Sequence, residues 1–172
     1  MVDMLVKLYE LPPVPAIRQR EDSAIIIRRA RPDEKHRIGM WVRQHLNPGW
    51  DDGAETACEV RPPTCWIAVE NMPLDHPPEH GYDLPHERLV GFACYDVNMR
   101  GIFGPVGVQD SYRHRGIGAA LTVRALQDMA DQGYAYAVIQ WAGDPDWYAR
   151  ITGATIISNS EPGSTRNKLL AG

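Results

Sequence analysis

The stretch "GVQDSYRHRGIGAALTVRAL", residues 107–126, changes character at its middle. Arg113, His114 and Arg115 lead directly into Gly116 and Gly118, and from Ile117 to about Gln132 the pattern is apolar and helical, with Gly133 placed to stop it. A strand, a basic turn, glycines and a helix form an anion-binding arrangement. The first N–H groups of a helix have no intrahelical partner, the helix dipole puts about half a positive charge there, and glycine lets an anion approach the main chain. Two known versions do not fit. A P-loop requires Lys and then Ser or Thr after the second glycine, where Ala119 and Ala120 stand. A dinucleotide fold requires a third glycine where Leu121 stands, and an acid after the next strand, which runs into Trp141.

Upstream of the turn, "GIFGPVGV" (101–108) reads as an irregular strand. Pro105 has no N–H for a ladder and Gly104 and Gly107 weaken and bend the chain, so this strand is expected to bulge and to splay from a neighbour. "TCWIAVEN" (64–71) and "RLVGFACYDV" (88–97) are two further strands, separated by a loop rich in Pro and His. Before them come a strand over Ile25–Arg29, a helix over 34–46 with Asp33 as its N-cap, and a weaker helix after the loop "NPGWDD". Downstream, "YAYAVIQWA" (134–142) is apolar enough for a sheet interior, and "DPDWYARIT" (144–152) is a short helix opened by Asp144 and Pro145. "ATIISN" and "NKLLA" close the chain as strands.

These elements predict one α/β domain over 24–172, with a mixed, mostly antiparallel sheet of six or seven strands and helices on both faces. Residues 1–23, with the Pro-rich "LPPVPAIRQRED", read as an arm or linker ahead of it.

The chain has 172 residues, enough to bury its own core, and its 44% hydrophobic and 23% charged composition is that of a globular protein. A net charge of −4 excludes a broad nucleic-acid-binding face, so any basic site is local. No signal peptide or apolar run of membrane length is present, which implies a soluble, cytoplasmic protein. Cys58, Cys65 and Cys94 lack metal-site or disulfide spacing, and Cys65 and Cys94 are expected as buried thiols. His76, His80 and His86, with Asp75, Glu79 and Asp83, are spaced irregularly in a Pro-rich loop, so no metal site is expected.

Arg113-His114-Arg115-Gly116-Ile117-Gly118-Ala119 resembles the Arg/Gln-x-x-Gly-x-Gly/Ala motif of the GNAT superfamily of acyl-CoA-dependent N-acyltransferases. "PDWYARITGA" resembles that family's Phe-Tyr-x-x-x-Gly segment, although Tyr148 and Gly153 stand one residue further apart than usual and the Asn often found after the preceding strand is missing. The likeness covers about residues 24–170 and implies a GNAT-like fold with a splayed central strand pair. It further implies direct acetyl transfer from acetyl-CoA to a primary amine of a small molecule or a protein. Val106, Gly107 and Val108 would hold the pantetheine arm, and Arg113 to Ala119 the diphosphate.

Tyr148 matches the residue that protonates the departing thiolate, a role suited to a phenol that stays protonated at neutral pH. For the base, the sequence offers Asp96 at the end of a strand, a position where a merely solvated acid is the commoner reading. Trp41, His45 and Trp50 offer an aromatic wall for the amine, of which Trp50 is the chosen substrate-binding residue. A non-catalytic acyl-CoA sensor is the alternative function, and a homodimer through the terminal strands or the arm is compatible with the sequence.

Overall fold

The computed structural model describes residues 1–20, 24–72, 86–161 and 163. β2 (Ile25–Arg29), β3 (Cys65–Met72), β4 (His86–Tyr95) and β5 (Ile102–Val108) form an antiparallel succession, as their β-branched and aromatic content favours. β5 then runs parallel to β6 (Tyr136–Ala142), the two joined through α3 (Ile117–Asp131). The sheet order is β2-β3-β4-β5-β6-β1-β7, where β1 is Val2–Lys7 and β7 is Thr155–Ile156. A mixed, mostly antiparallel sheet of seven strands is therefore present among the described residues.

β1 (Val2–Lys7) corrects the expectation of an N-terminal arm. It lies inside the sheet, antiparallel to β6 on one side and to β7 on the other, with Met4 and Val6 buried. Its alternation is short and the proline segment behind it reads like a domain boundary, so only the distant partners reveal the strand. After a 3-10 turn at Leu8–Glu10, the Pro-rich segment runs beside α3, where Pro12 O accepts from Gln127 and Arg18 N–H donates to Arg115 O.

Helices cover both faces. α3 and α4 (Pro145–Thr152) pack on a core containing Met4, Val6, Phe103, Leu121, Leu126 and Ile139. α1 (Lys35–His45) and α2 (Asp51–Glu59) cover a second core of Ile38, Val42, Ile67, Val69 and Phe92. Each fully buried large apolar side chain contributes about 1.5–3 kcal/mol, and both sides of the sheet are served this way. The second core also holds Cys58, Cys65 and Cys94 as buried free thiols, in keeping with the expectation for the last two.

Two local expectations change. Asp33 is not the N-cap of α1: it sits in a 3-10 turn over Pro32–Glu34, where Glu34 accepts the Arg31 N–H at 2.7 Å, while Asp33 lies at the surface near Arg31 and Arg37. The strand expected over 154–159 shortens to Thr155–Ile156. The expected strand "NKLLA" and most of the Pro and His loop, with His76 and His80, fall outside the described residues.

Candidate functional site

β5 is secured along one edge only. Against β4 its register runs Gly91↔Val108, Phe92↔Gly107 and Ala93↔Val106, with an irregularity between Ala93 and Tyr95. Against β6 it pairs only at Ile102↔Val138 and Phe103↔Ile139, after which Gly104, at φ 119°, and Pro105 interrupt the ladder. The bulge and the splay are both present. The Gln109 N–H reaches back to Val90 O on the β4 side at 3.0 Å, so by strand alternation Val106 and Val108 turn their N–H and C=O groups to the opposite edge, where Val108 O accepts from Arg113 Nε at 3.3 Å. At Gly107 an added Cβ would sit 2.6 Å from a methyl of Leu46, just past α1, so a larger residue there would displace that side chain.

The basic turn continues from β5. Tyr112 is buried and donates its hydroxyl to Glu70 at 2.6 Å, which anchors the turn to β3. Arg113 pairs with Asp110 at 2.8 Å, and His114 and Gly116 take left-handed conformations at φ 61° and 86°. The Gly116 conformation turns the chain into α3. Among the described residues the main-chain N–H groups of His114, Arg115, Gly116, Ile117, Gly118 and Ala119 donate to nothing; the first bond of the helix is Ala120 N–H to Gly116 O at 3.0 Å. Arg115 is buried, yet both its terminal nitrogens lack a partner among the described residues. Unspent N–H groups at a helix start, beside a buried cation, form a site for an anion.

Gly118 marks where this turn meets the gap and α4. A Cβ on it would lie 3.6 Å from Val108 Cγ2 and 3.7 Å from Trp147 Cζ2. α4 opens as expected, with the Asp144 carboxylate accepting the Trp147 N–H at 2.9 Å. Tyr148 packs partly buried against the first core, as does Val106. Burial, and secondarily the charge of Asp144, push the Tyr148 phenol up to about 12, so its proton is held at neutral pH. Its O–H makes no hydrogen bond among the described residues. The extra residue before Gly153 is absorbed at the helix end, where Gly153, at φ 70°, donates to Ala149 O.

Two further sequence candidates, Asp96 and Trp50, have the following surroundings. Asp96 is at the paired end of β5 and β6, with one oxygen accepting the Gly101 N–H at 2.7 Å and the other the Tyr134 hydroxyl at 2.6 Å. Its observed contacts are those of a turn clamp. Trp50 and Trp41 both pack on Phe92, with ring centroids 6.5 Å away, in the second core, and Trp41 also stacks on His45.

What the sequence did not reveal is the crossing segment between β1 and β2, which is bonded to the turn: Arg18 N–H donates to Arg115 O at 2.9 Å, and Arg115 Nε returns a bond to Arg18 O at 3.0 Å. The two arginines after the prolines were its only signal. Among the described residues no cluster of metal-binding side chains occurs, and no helix is long and apolar enough to cross a membrane.

Residues 42–150 match the family model described as acetyltransferase (GNAT) family. The fold is similar to a GCN5-related N-acetyltransferase from Sphaerobacter thermophilus, with a TM-score of 0.64 and 22% identity, covering 91% of this chain and 48% of that one. It is also similar to the glucosamine N-acetyltransferase region of a fungal multi-domain GH3 β-N-acetylglucosaminidase (TM-score 0.63, 16% identity, 91% and 19% covered). A third likeness is to a GCN5-related N-acetyltransferase from Kribbella flavida (TM-score 0.54, 18% identity, 90% and 53% covered). This chain thus spans about half, or less, of the length of each. No curated protein matches its sequence.

Proposed function

Because this chain belongs to the GNAT family of acetyltransferases, we propose that it moves the acetyl group of acetyl-CoA directly onto a primary amine, of a small molecule or of a protein. The observation that carries this is the convergence at Gly118 of the unspent turn N–H groups, the end of β5's open edge and α4. These features fit an elongated donor with an anionic end. Val106 and Val108 offer main-chain groups to the amides of the pantetheine arm, as a missing strand would, and the turn from Arg113 to Ala119 receives the diphosphate.

Acetyl-CoA supplies a thioester open to attack by an amine. The chain's own part is to hold donor and acceptor side by side, to polarise the carbonyl through an N–H in the gap, and to return a proton to the departing sulfur from Tyr148. A covalent acyl-enzyme has no support, because Cys58, Cys65 and Cys94 are all buried and the Cys58 thiol is pushed up by its hydrogen bond to Cys65 and by burial. Asp96 keeps its place in the β4–β5 turn, and the proton of the amine passes to water.

Thermal unfolding with acetyl-CoA, NADH and ATP tests the donor. Saturation at a hundred times the dissociation constant stabilises by about 2.7 kcal/mol, which corresponds to a rise of roughly 5–10 °C. A shift with acetyl-CoA alone is expected; a shift with NADH or ATP instead, or none, overturns the proposal. Amine-dependent release of CoA across a broad amine panel then separates an enzyme from an acyl-CoA sensor, which would bind without turnover.

A further inference from the structure

The crossing segment is fitted closely against the turn. Beyond the two reciprocal bonds between Arg18 and Arg115, Gly116 faces Ala16 O so closely that a Cβ would come within 2.9 Å of it. Further back, Gln127 on α3 donates to Pro12 O at 3.3 Å, and ahead Gln19 exchanges two bonds with the main chain of Ile25. Residues 12–19 therefore lie as a strap beside α3 that ends at its N-terminus. This segment is outside the part of the chain that matches the family model.

Two features of the seam between strap and turn call for a negatively charged partner. Arg115 is only 9% exposed, its guanidinium stands over the Tyr112 ring at 5.6 Å, and its Nε is spent on Arg18 O. Its Nη1 and Nη2 are nevertheless buried with no hydrogen-bond partner, an arrangement costly enough to point to an absent anion. Arg18, whose main chain is bonded to Arg115, and Arg20 two residues on are exposed and make no ion pair among the described residues. Arg18 and Arg115 thus meet at one helix end in a protein whose net charge is −4.

CoA carries a second anion besides its diphosphate, the 3′-phosphate of the ribose. We propose that the strap reads this group: Arg18, with Arg115 beneath it, binds the 3′-phosphate and makes the protein select CoA over its 3′-dephospho form. The inference rests on the acyl-CoA assignment above, with the turn N–H groups taking the diphosphate. Guanidinium groups suit the task, since each offers forked donors to phosphate oxygens.

Calorimetric titration of the whole chain with CoA and with 3′-dephospho-CoA tests it, in the wild type and in Arg18→Ser, a change of an exposed side chain. The wild type should bind CoA at least about 10-fold more tightly than the dephospho form, the worth of one charge-assisted contact of about 1.4 kcal/mol. In Arg18→Ser that ratio should fall toward one, through weaker CoA binding and unaltered 3′-dephospho-CoA binding. Equal affinities in the wild type, or a ratio that survives the substitution, overturn the role of the strap while leaving the acyl-CoA site intact. Binding of neither compound overturns both.

Discussion

The two ends of α3 are built on opposite principles. Toward its C-terminus, Asp128 is buried and fully engaged: Arg29 gives it two bonds, at 2.7 and 2.6 Å, Trp66 Nε1 donates at 3.0 Å and the Tyr95 hydroxyl at 2.7 Å. Burial alone would raise the pKa of this carboxyl, but the donors from Arg29, Trp66 and Tyr95 outweigh it and hold the group below its ordinary value. One side chain on the helix thereby ties β2, β3 and β4 together. At the N-terminus, N–H groups from His114 to Ala119 and both ends of the Arg115 guanidinium go unanswered among the described residues. A helix fastened this firmly at one end can keep the other unsatisfied, and local rules broken at one place mark where a ligand belongs.

The comparison breaks most severely at the fastened end. Asp128→Ala leaves Arg29 without its buried partner and should cost about 3–5 kcal/mol, or roughly 10–15 °C in Tm, with acetyl-CoA affinity unchanged at a temperature where the variant is folded. Differential scanning calorimetry and titration together check both halves of that statement. At the open end the outcome should be reversed: Gly118→Asp, whose Cβ would meet only ordinary contacts, should weaken acetyl-CoA binding about 100-fold by setting one anion against another, with a smaller change in the unliganded Tm than Asp128→Ala. Equal affinity in this variant would remove the turn from the site. Tyr148→Phe should lower turnover about 100-fold and spare the affinity for acetyl-CoA.

Acid sharpens the contrast. Because the folded-state pKa of Asp128 is depressed, its contribution is complete above the ordinary value of 3.8 and is lost as pH falls through the lower folded value. Wild-type stability should therefore fall more steeply below about pH 4 than that of Asp128→Ala, which has no such carboxyl to protonate. The smallest effect belongs to the C-cap, where Gly133, at φ 93°, faces open space; Gly133→Ala should cost about 1–2 kcal/mol of stability and no affinity.

The site was legible in the sequence wherever its chemistry is local. Gly116 and Gly118 after two arginines, and Pro105 between glycines, betray a turn and a broken ladder because one residue type serves each purpose. The sheet was legible for the same reason, from β2 through β6. β1 was not, since Asp3 and its partner Trp141 are 138 positions apart and six alternating residues carry little signal alone. Arg18 and Arg115 meet across 97 positions, and Asp96 reads as a free strand-end acid until Tyr134 and Gly101 are seen to occupy it. An orphaned guanidinium or a committed carboxylate is a property of the folded neighbourhood, which residue identity does not encode.

The interior position of β1 also sets an order of events during synthesis. Val2–Lys7 is translated well before either of its neighbours, Tyr136–Ala142 and Thr155–Ile156. At about 5–20 residues per second the strand waits roughly 7–25 s with Met4 and Val6 uncovered. The sheet from β2 to β5 can assemble in that interval, before the partners that seat β1 exist.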